Sequence, residues 1–185
     1  LRIVDVLEND RQGLNLTWEV RDGIARHSKG KSGLPVGLPP EHRASTIEGQ
    51  VARVADIIAY VNHDFDDAVR AGLLRQEQLP EDVGRSLGYT SSERIGCMVS
   101  DVVHQTIDGG LSEIRMSDRV LEATLELRRF LFDSVYENEV ATAEFSKAEG
   151  ILGGLWEKVR ERPAGYLDPR TIEAEGLDVA AQDFV

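Results

Sequence analysis

The stretch STIEGQVARVADIIAYVNHDFDDAVRAGL, Ser45 to Leu73, reads as one long helix with two unlike faces. Val51, Val54, Ile58, Val61 and Phe65 recur at three- and four-residue steps, forming a stripe that should face a core. Opposite lie Gly49, Arg53, Asp56, Tyr60, His63 and Asp67, with Asp64 at the edge. Acid, phenol, imidazole and acid at this spacing make either a solvated face or one wall of a polar site. Ser45 and Glu48 have capping-box spacing and predict the helix start, while Gly72 supplies a stop.

Outward from that helix the chain keeps the same period. Leu1 to Glu8 reads as the end of a helix, and Leu16 to Arg26 as a short one carrying Trp18, Val20 and Ile24. His27 to Ala44 is rich in Gly and Pro and predicts a loop. Pro80 to Leu87 suits a short helical turn. Thr90 and Glu93 form a second capping box, opening a helix expected to bury Ile95, Met98, Val99, Val102 and Val103 before Gly109-Gly110 ends it. Ser117 can cap the next helix, to about Glu137, and Thr142 a last long one stopped by Pro163. From Thr171 on the pattern is weakly helical. No alternating run marks a strand, so the fold class is all-α.

Composition removes several function classes. A chain of 185 residues suits one domain or the larger part of one. The net charge of -12 opposes nucleic acid and anionic lipid, and no basic cluster with interleaved aromatics offsets it. No apolar run approaches the ~20 residues that cross a bilayer. The single Cys97 excludes an internal disulfide and fits a reducing compartment, the cytoplasm. On a core-type helix it reads as a small apolar residue. No P-loop, Gly-x-Gly-x-x-Gly, His-Glu-x-x-His or local Ser/His/Asp motif is present.

Two motifs together carry a family resemblance. GLNLTWEVRDGIARHS, Gly13 to Ser28, paired with TIEGQVARVADIIAYVNHDFDDAVRAG, Thr46 to Gly72, resembles the bacterial deoxyguanosine triphosphate triphosphohydrolase family of the HD superfamily. The resemblance implies an HD-type helical bundle lacking its N-terminal helices. Residues 1–110 would be the C-terminal part of the phosphohydrolase core, and residues 111–185 an associated helical region. It implies hydrolysis of a deoxynucleoside triphosphate (dNTP) to deoxynucleoside and tripolyphosphate, a divalent metal ion (Mg, Mn or similar), and a homo-oligomer. The family's upstream His and His-Asp metal ligands have no counterpart here. His63-Asp64 lies downstream of the matched Asp56 and is not that pair. The expectation is a piece inactive alone.

Residue by residue, the resemblance makes Asp56 a metal ligand; the plain alternative is a salt bridge to Arg53 or another neighbour. A metal needs three or more ligands, so Asp56 alone is insufficient. Tyr60 and Asp64 match a pair that holds the deoxyribose 3'-hydroxyl, against a half-buried packing ring and a solvated acid. A phenol and a carboxylate on adjacent turns can clasp one hydroxyl. His63 could bond phosphate or water, or be a satisfied structural histidine.

Arg128 stands out without any family. Leu121, Leu125, Phe132 and Val135 read as one apolar stripe with Arg128 in its middle, and a core-facing guanidinium needs an anion. The resemblance makes that anion a phosphate and sets Tyr136, two turns on, beside sugar and base. His27, Lys29 and Lys31 could touch the triphosphate, though solvated surface accounts for them equally simply. His42 and His104 have no constellation around them. Two rivals stay open: an HD phosphohydrolase of another nucleotide phosphoester, and a non-catalytic helical interaction domain.

Overall fold

A computed structural model describes residues 1–27, 36–136 and 139–185; the side chains at 139–142 and 144 lie outside that description. The described residues are helical, with no strand among them. Ile3–Leu7 makes one wide helical turn, ended by left-handed backbone at Asn9, Asp10 and Arg11. Then come α1 (Trp18–His27), α2 (Ile47–Arg70), α3 (Glu81–Leu87), α4 (Ser91–Asp108) and α5 (Asp118–Leu131). A wide π-type turn, Phe132–Tyr136, continues α5. α6 (Glu139–Glu161), α7 (Pro169–Glu175) and α8 (Leu177–Phe184) complete the chain. Two compact units result, Leu1–Tyr136 and Glu137–Val185. None of the described helices is long and apolar enough to cross a membrane.

Helix ends follow side-chain chemistry. The α4 capping box forms as expected: the Thr90 hydroxyl accepts from the Glu93 amide, and the Glu93 carboxylate accepts from Thr90 N–H. Ser117 caps α5 by accepting from Val120 N–H. At α2 the cap is Thr46, which accepts from Gly49 N–H, and not Ser45. The Ser45 amide instead donates to Asp22 of α1, which fixes where the chain enters the helix. Gly72, at φ +74, closes α2: Leu73 N–H reaches the Ala68 carbonyl and Gly72 N–H that of Val69. Thr142 does not start α6, which begins at Glu139, three residues earlier.

α2 is the central element of the first unit. Val54, Ile57, Ile58, Val61 and Phe65 pack with Met98 and Val102 of α4 and with Val120, Leu127 and Leu131 of α5. Its other side is buried too, against α1. Gly23 and Gly49 let the two backbones touch, since a Cβ at Gly49 would lie 3.1 Å from the Cα of Gly23. Arg53, expected on the polar strip, is 7% exposed and donates to the α1 carbonyls of Arg26 and His27. Val51, assigned to the core stripe, is 45% exposed.

α4 is rolled relative to its expected face. Arg94, Met98, Val102 and Thr106 are buried, whereas Val99 and Val103 are exposed. The four buried positions are spaced by four, and Arg94 hides the stripe from a hydropathy pattern. In the second unit Val159, Leu167, Ala180 and Ala181 form a small core. The Arg160 guanidinium lies 4.4 Å over the Trp156 ring and donates to Asp178, joining α6 to α8.

Candidate functional site

α2 presents Tyr60 and Asp64 on consecutive turns toward the end of α5, and two aromatic rings and a guanidinium gather beside them there. The Tyr136 hydroxyl donates to the Asp64 carboxylate. The Tyr60 and Tyr136 rings stack with centroids 6.1 Å apart and planes 20° from parallel. Phe132 meets Tyr136 edge-on at 4.9 Å, and the Arg128 guanidinium lies 4.9 Å over the Phe132 ring. Arg128, Phe132 and Tyr136 thus form a column at four-residue steps, finishing on the carboxylate of α2. The wide turn sets the register of that column, and such turns recur at functional sites.

The electrostatics keep this cluster neutral at its centre. Burial is the main cause pushing the Tyr136 phenol far above its ordinary value, followed by its hydrogen bonds with Asp64 and Tyr60. A raised folded value means that the native state holds the proton where an unfolded tyrosine gives it up. The stabilisation is therefore complete below about pH 10 and is lost as pH climbs above it. In an alkaline titration followed by tyrosinate absorbance, one phenol is expected to ionise only as the protein unfolds. Tyr136→Phe should remove that late step; an unchanged late step would contradict the assignment.

Arg128 corrects an expectation. The buried stripe of α5 is Val120, Ala123, Thr124, Leu127 and Leu131, and Arg128 is half-buried at its edge. Leu121 and Leu125 are only half-buried and Phe132 is 38% exposed, so along α5 the stripe lies one residue away from the expected positions, while Val135 is buried as expected. The guanidiniums that do sit in the interior are those of Arg53 and of Arg94, the second of which sequence reasoning passed over.

Asp56 is exposed, one turn before Tyr60, and borders a groove of about 680 Å³ between α1 and α2. Val20, Gly23, His27, Glu48 and Ala52 line the same groove. Desolvation lowers the affinity of Arg53 for its proton, and the Asp56 charge opposes that shift. Among the described residues no three or more His, Cys, Asp and Glu side chains come together, so they do not make a metal site by themselves.

His63 is exposed and borders a different, apolar groove of about 530 Å³ between α2 and α4, with Val51, Ala55, Ala59, Val99 and Val103. The His27 ring is within 2.6 Å of the Ile24 carbonyl, and that of His104 within 2.7 Å of Ser100 O. Cys97 is a half-buried free thiol, its Sγ 3.5 Å from the Ser86 carbonyl. Lys29 and Lys31 lie outside the described residues.

Comparison with known proteins gives this geometry a context. Residues 114–181 match the phosphohydrolase-associated domain. A deoxyguanosinetriphosphate triphosphohydrolase-like protein of Caldanaerobacter subterraneus is 41% identical over 189 residues, covering 100% of this chain and 51% of the relative. One from Clostridium perfringens is 44% identical over 192 residues, with 100% and 54% covered. One from Desulfatibacillum aliphaticivorans is 46% identical over 158 residues, with 85% and 45% covered. The chain spans about half the length of these curated relatives. Aligned along its whole length at such identity, the chain is similar to deoxyguanosinetriphosphate triphosphohydrolase-like proteins and carries the phosphohydrolase-associated domain.

Proposed function

We propose that this chain forms the sugar- and phosphate-facing wall of a dNTP triphosphohydrolase of dGTP type. The observation that supports it is the joining of Tyr60 and Asp64 with Tyr136, 72 residues beyond Asp64 in sequence, through a hydrogen bond and a ring stack. The names of the relatives supply the substrate class.

In this scheme the Asp64 carboxylate accepts a hydrogen bond from the 3'-hydroxyl of the sugar, and the Tyr60 phenol contacts the same oxygen. The Tyr60 ring packs under the sugar and leaves no room for a 2'-hydroxyl. Tyr136 already donates to Asp64, which fixes the carboxylate before substrate arrives and lowers the ordering cost of binding. Arg128, held flat on Phe132, offers its outer N–H groups to a phosphate oxygen. His63 would bond a phosphate or a water. Water attacks the α-phosphorus, the bond from that phosphorus to the 5'-oxygen breaks, and the 5'-oxygen leaves with a proton as the deoxynucleoside. Asp56 would be one ligand of a divalent metal, whose remaining ligands would come from outside the described residues.

Tyr60→Ala in the intact protein tests the scheme. dGTP turnover is expected to fall about 100-fold in kcat/KM, because the sugar loses its platform and the reacting phosphate its register. Hydrolysis of a phosphoester without a sugar should change little. Equal loss on both substrates, or no loss on dGTP, would refute the sugar role of Tyr60.

A further inference from the structure

We propose that Arg94 is a positioning residue for the sugar site, gripping α2 from the side opposite Tyr60 and Asp64; this rests on the function proposed above. Arg94 is 0% exposed. Its Nε donates to Asn62 Oδ1 at 2.8 Å, its Nη2 to Asp66 Oδ1 at 3.0 Å, and its Nη1 to the Tyr89 carbonyl at 3.1 Å. The guanidinium also lies 5.0 Å over the Phe65 ring. Asn62 is fully buried and completes the clamp, its amide donating to the Ile58 carbonyl at 2.8 Å and lying 3.5 Å from Met98 Sδ.

On α2 the held residues, Ile58, Asn62, Phe65 and Asp66, span the segment that displays Tyr60 and Asp64, while Tyr89 and Met98 lie just before α4 and within it. At about 100° per residue, Asn62 lies roughly 160° around the helix from both Tyr60 and Asp64, and Asp66 roughly 160° from Asp64 and 120° from Tyr60. One rigid fork fixes the rotation of α2 about its own axis, which a point charge on a flexible stem would not do. Side chains extend about 6 Å from a helix axis, so a roll of about 10° moves a contacting atom by about 1 Å. Displacement on that scale is enough to cost about 100-fold in a positioned reaction. Arg94 touches no substrate in this scheme and acts through the helix.

The test is the ratio of dGTP to GTP turnover in the intact protein, for wild type, Arg94→Lys and Asp66→Asn. A merely structural loss lowers both substrates by one factor and leaves the ratio alone. Misaligned Tyr60 and Asp64 lose the discrimination itself. Arg94→Lys should shrink the dGTP/GTP ratio about tenfold, and Asp66→Asn, whose side chain is 33% exposed and tolerant of change, about threefold. Should Arg94→Lys not fold, the Asp66→Asn ratio decides. An unchanged ratio in every variant that folds overturns the positioning role. A wild type that fails to hydrolyse dGTP, or to prefer it over GTP, overturns the proposed function instead.

Discussion

Arg94→Ala is expected to lower the unfolding free energy by about 3–5 kcal/mol, a large share of the 5–15 kcal/mol typical of a domain. Which partner suffers decides the size. Asp66 is 33% exposed and can regain water, so losing the ion pair alone is the smaller part. Asn62 is 0% exposed and would keep an unsatisfied oxygen in the core, beside the space vacated by the guanidinium. Arg94→Met should fill much of that space and still leave the oxygen orphaned, recovering only part of the loss. Denaturant titration of the three proteins measures this. A cost below about 1 kcal/mol for the alanine variant would mean that water reaches Asn62 readily.

Phe65→Ala is the second large effect, also about 3–5 kcal/mol, because the ring is 0% exposed at the centre of the first unit. Its neighbours on α5 include Phe130, at a centroid distance of 6.4 Å, and above it lies the Arg94 guanidinium. The two substitutions should therefore not add. The double variant is expected to lose about 1–2 kcal/mol less than the sum, since one contact is counted twice in the singles. Full additivity would show that cation and ring stabilise the fold independently.

Element boundaries were mostly legible where a local rule governs them, Thr142, which lies inside α6, being the exception. Thr90 with Glu93, Ser117 and Gly72 act within a few residues of themselves, and each does what its type predicts. Thr46 and Ser45 are adjacent candidates, and the choice is made by Asp22, 23 residues before Ser45, which no local window contains.

Burial was less legible, for a definite reason. A single apolar stripe predicts one packed face, but α2 is covered on several sides, by α1 as well as α4 and α5. Small and polar residues such as Gly49 and Arg53 therefore enter the interior where helix meets helix. Arg128 and Arg94 make the same point in opposite directions. Arg128 has apolar neighbours at three-, four- and seven-residue steps and is only half-buried; Arg94 follows Ser91, Ser92 and Glu93 and looks wet. Its burial becomes readable only once Asn62 and Asp66 are known to face it. Of the candidate cluster, Tyr60 and Asp64 share a helix and could be paired by spacing. Their meeting with Tyr136 is tertiary and came only through the family resemblance.

The broadened coil from Phe132 to Tyr136 makes the last aromatic sensitive to residue count more than to residue type. Losing one amino acid there would tighten it to ordinary pitch and leave the phenol of Tyr136 near its acid, because a wide turn of five residues and four residues at ordinary pitch span nearly the same arc. Gaining one would swing it by about 100°, away from that acid on the neighbouring helix. Side-chain swaps along that segment leave the spacing intact, whereas a single-codon insertion would unhook two helices from each other at once.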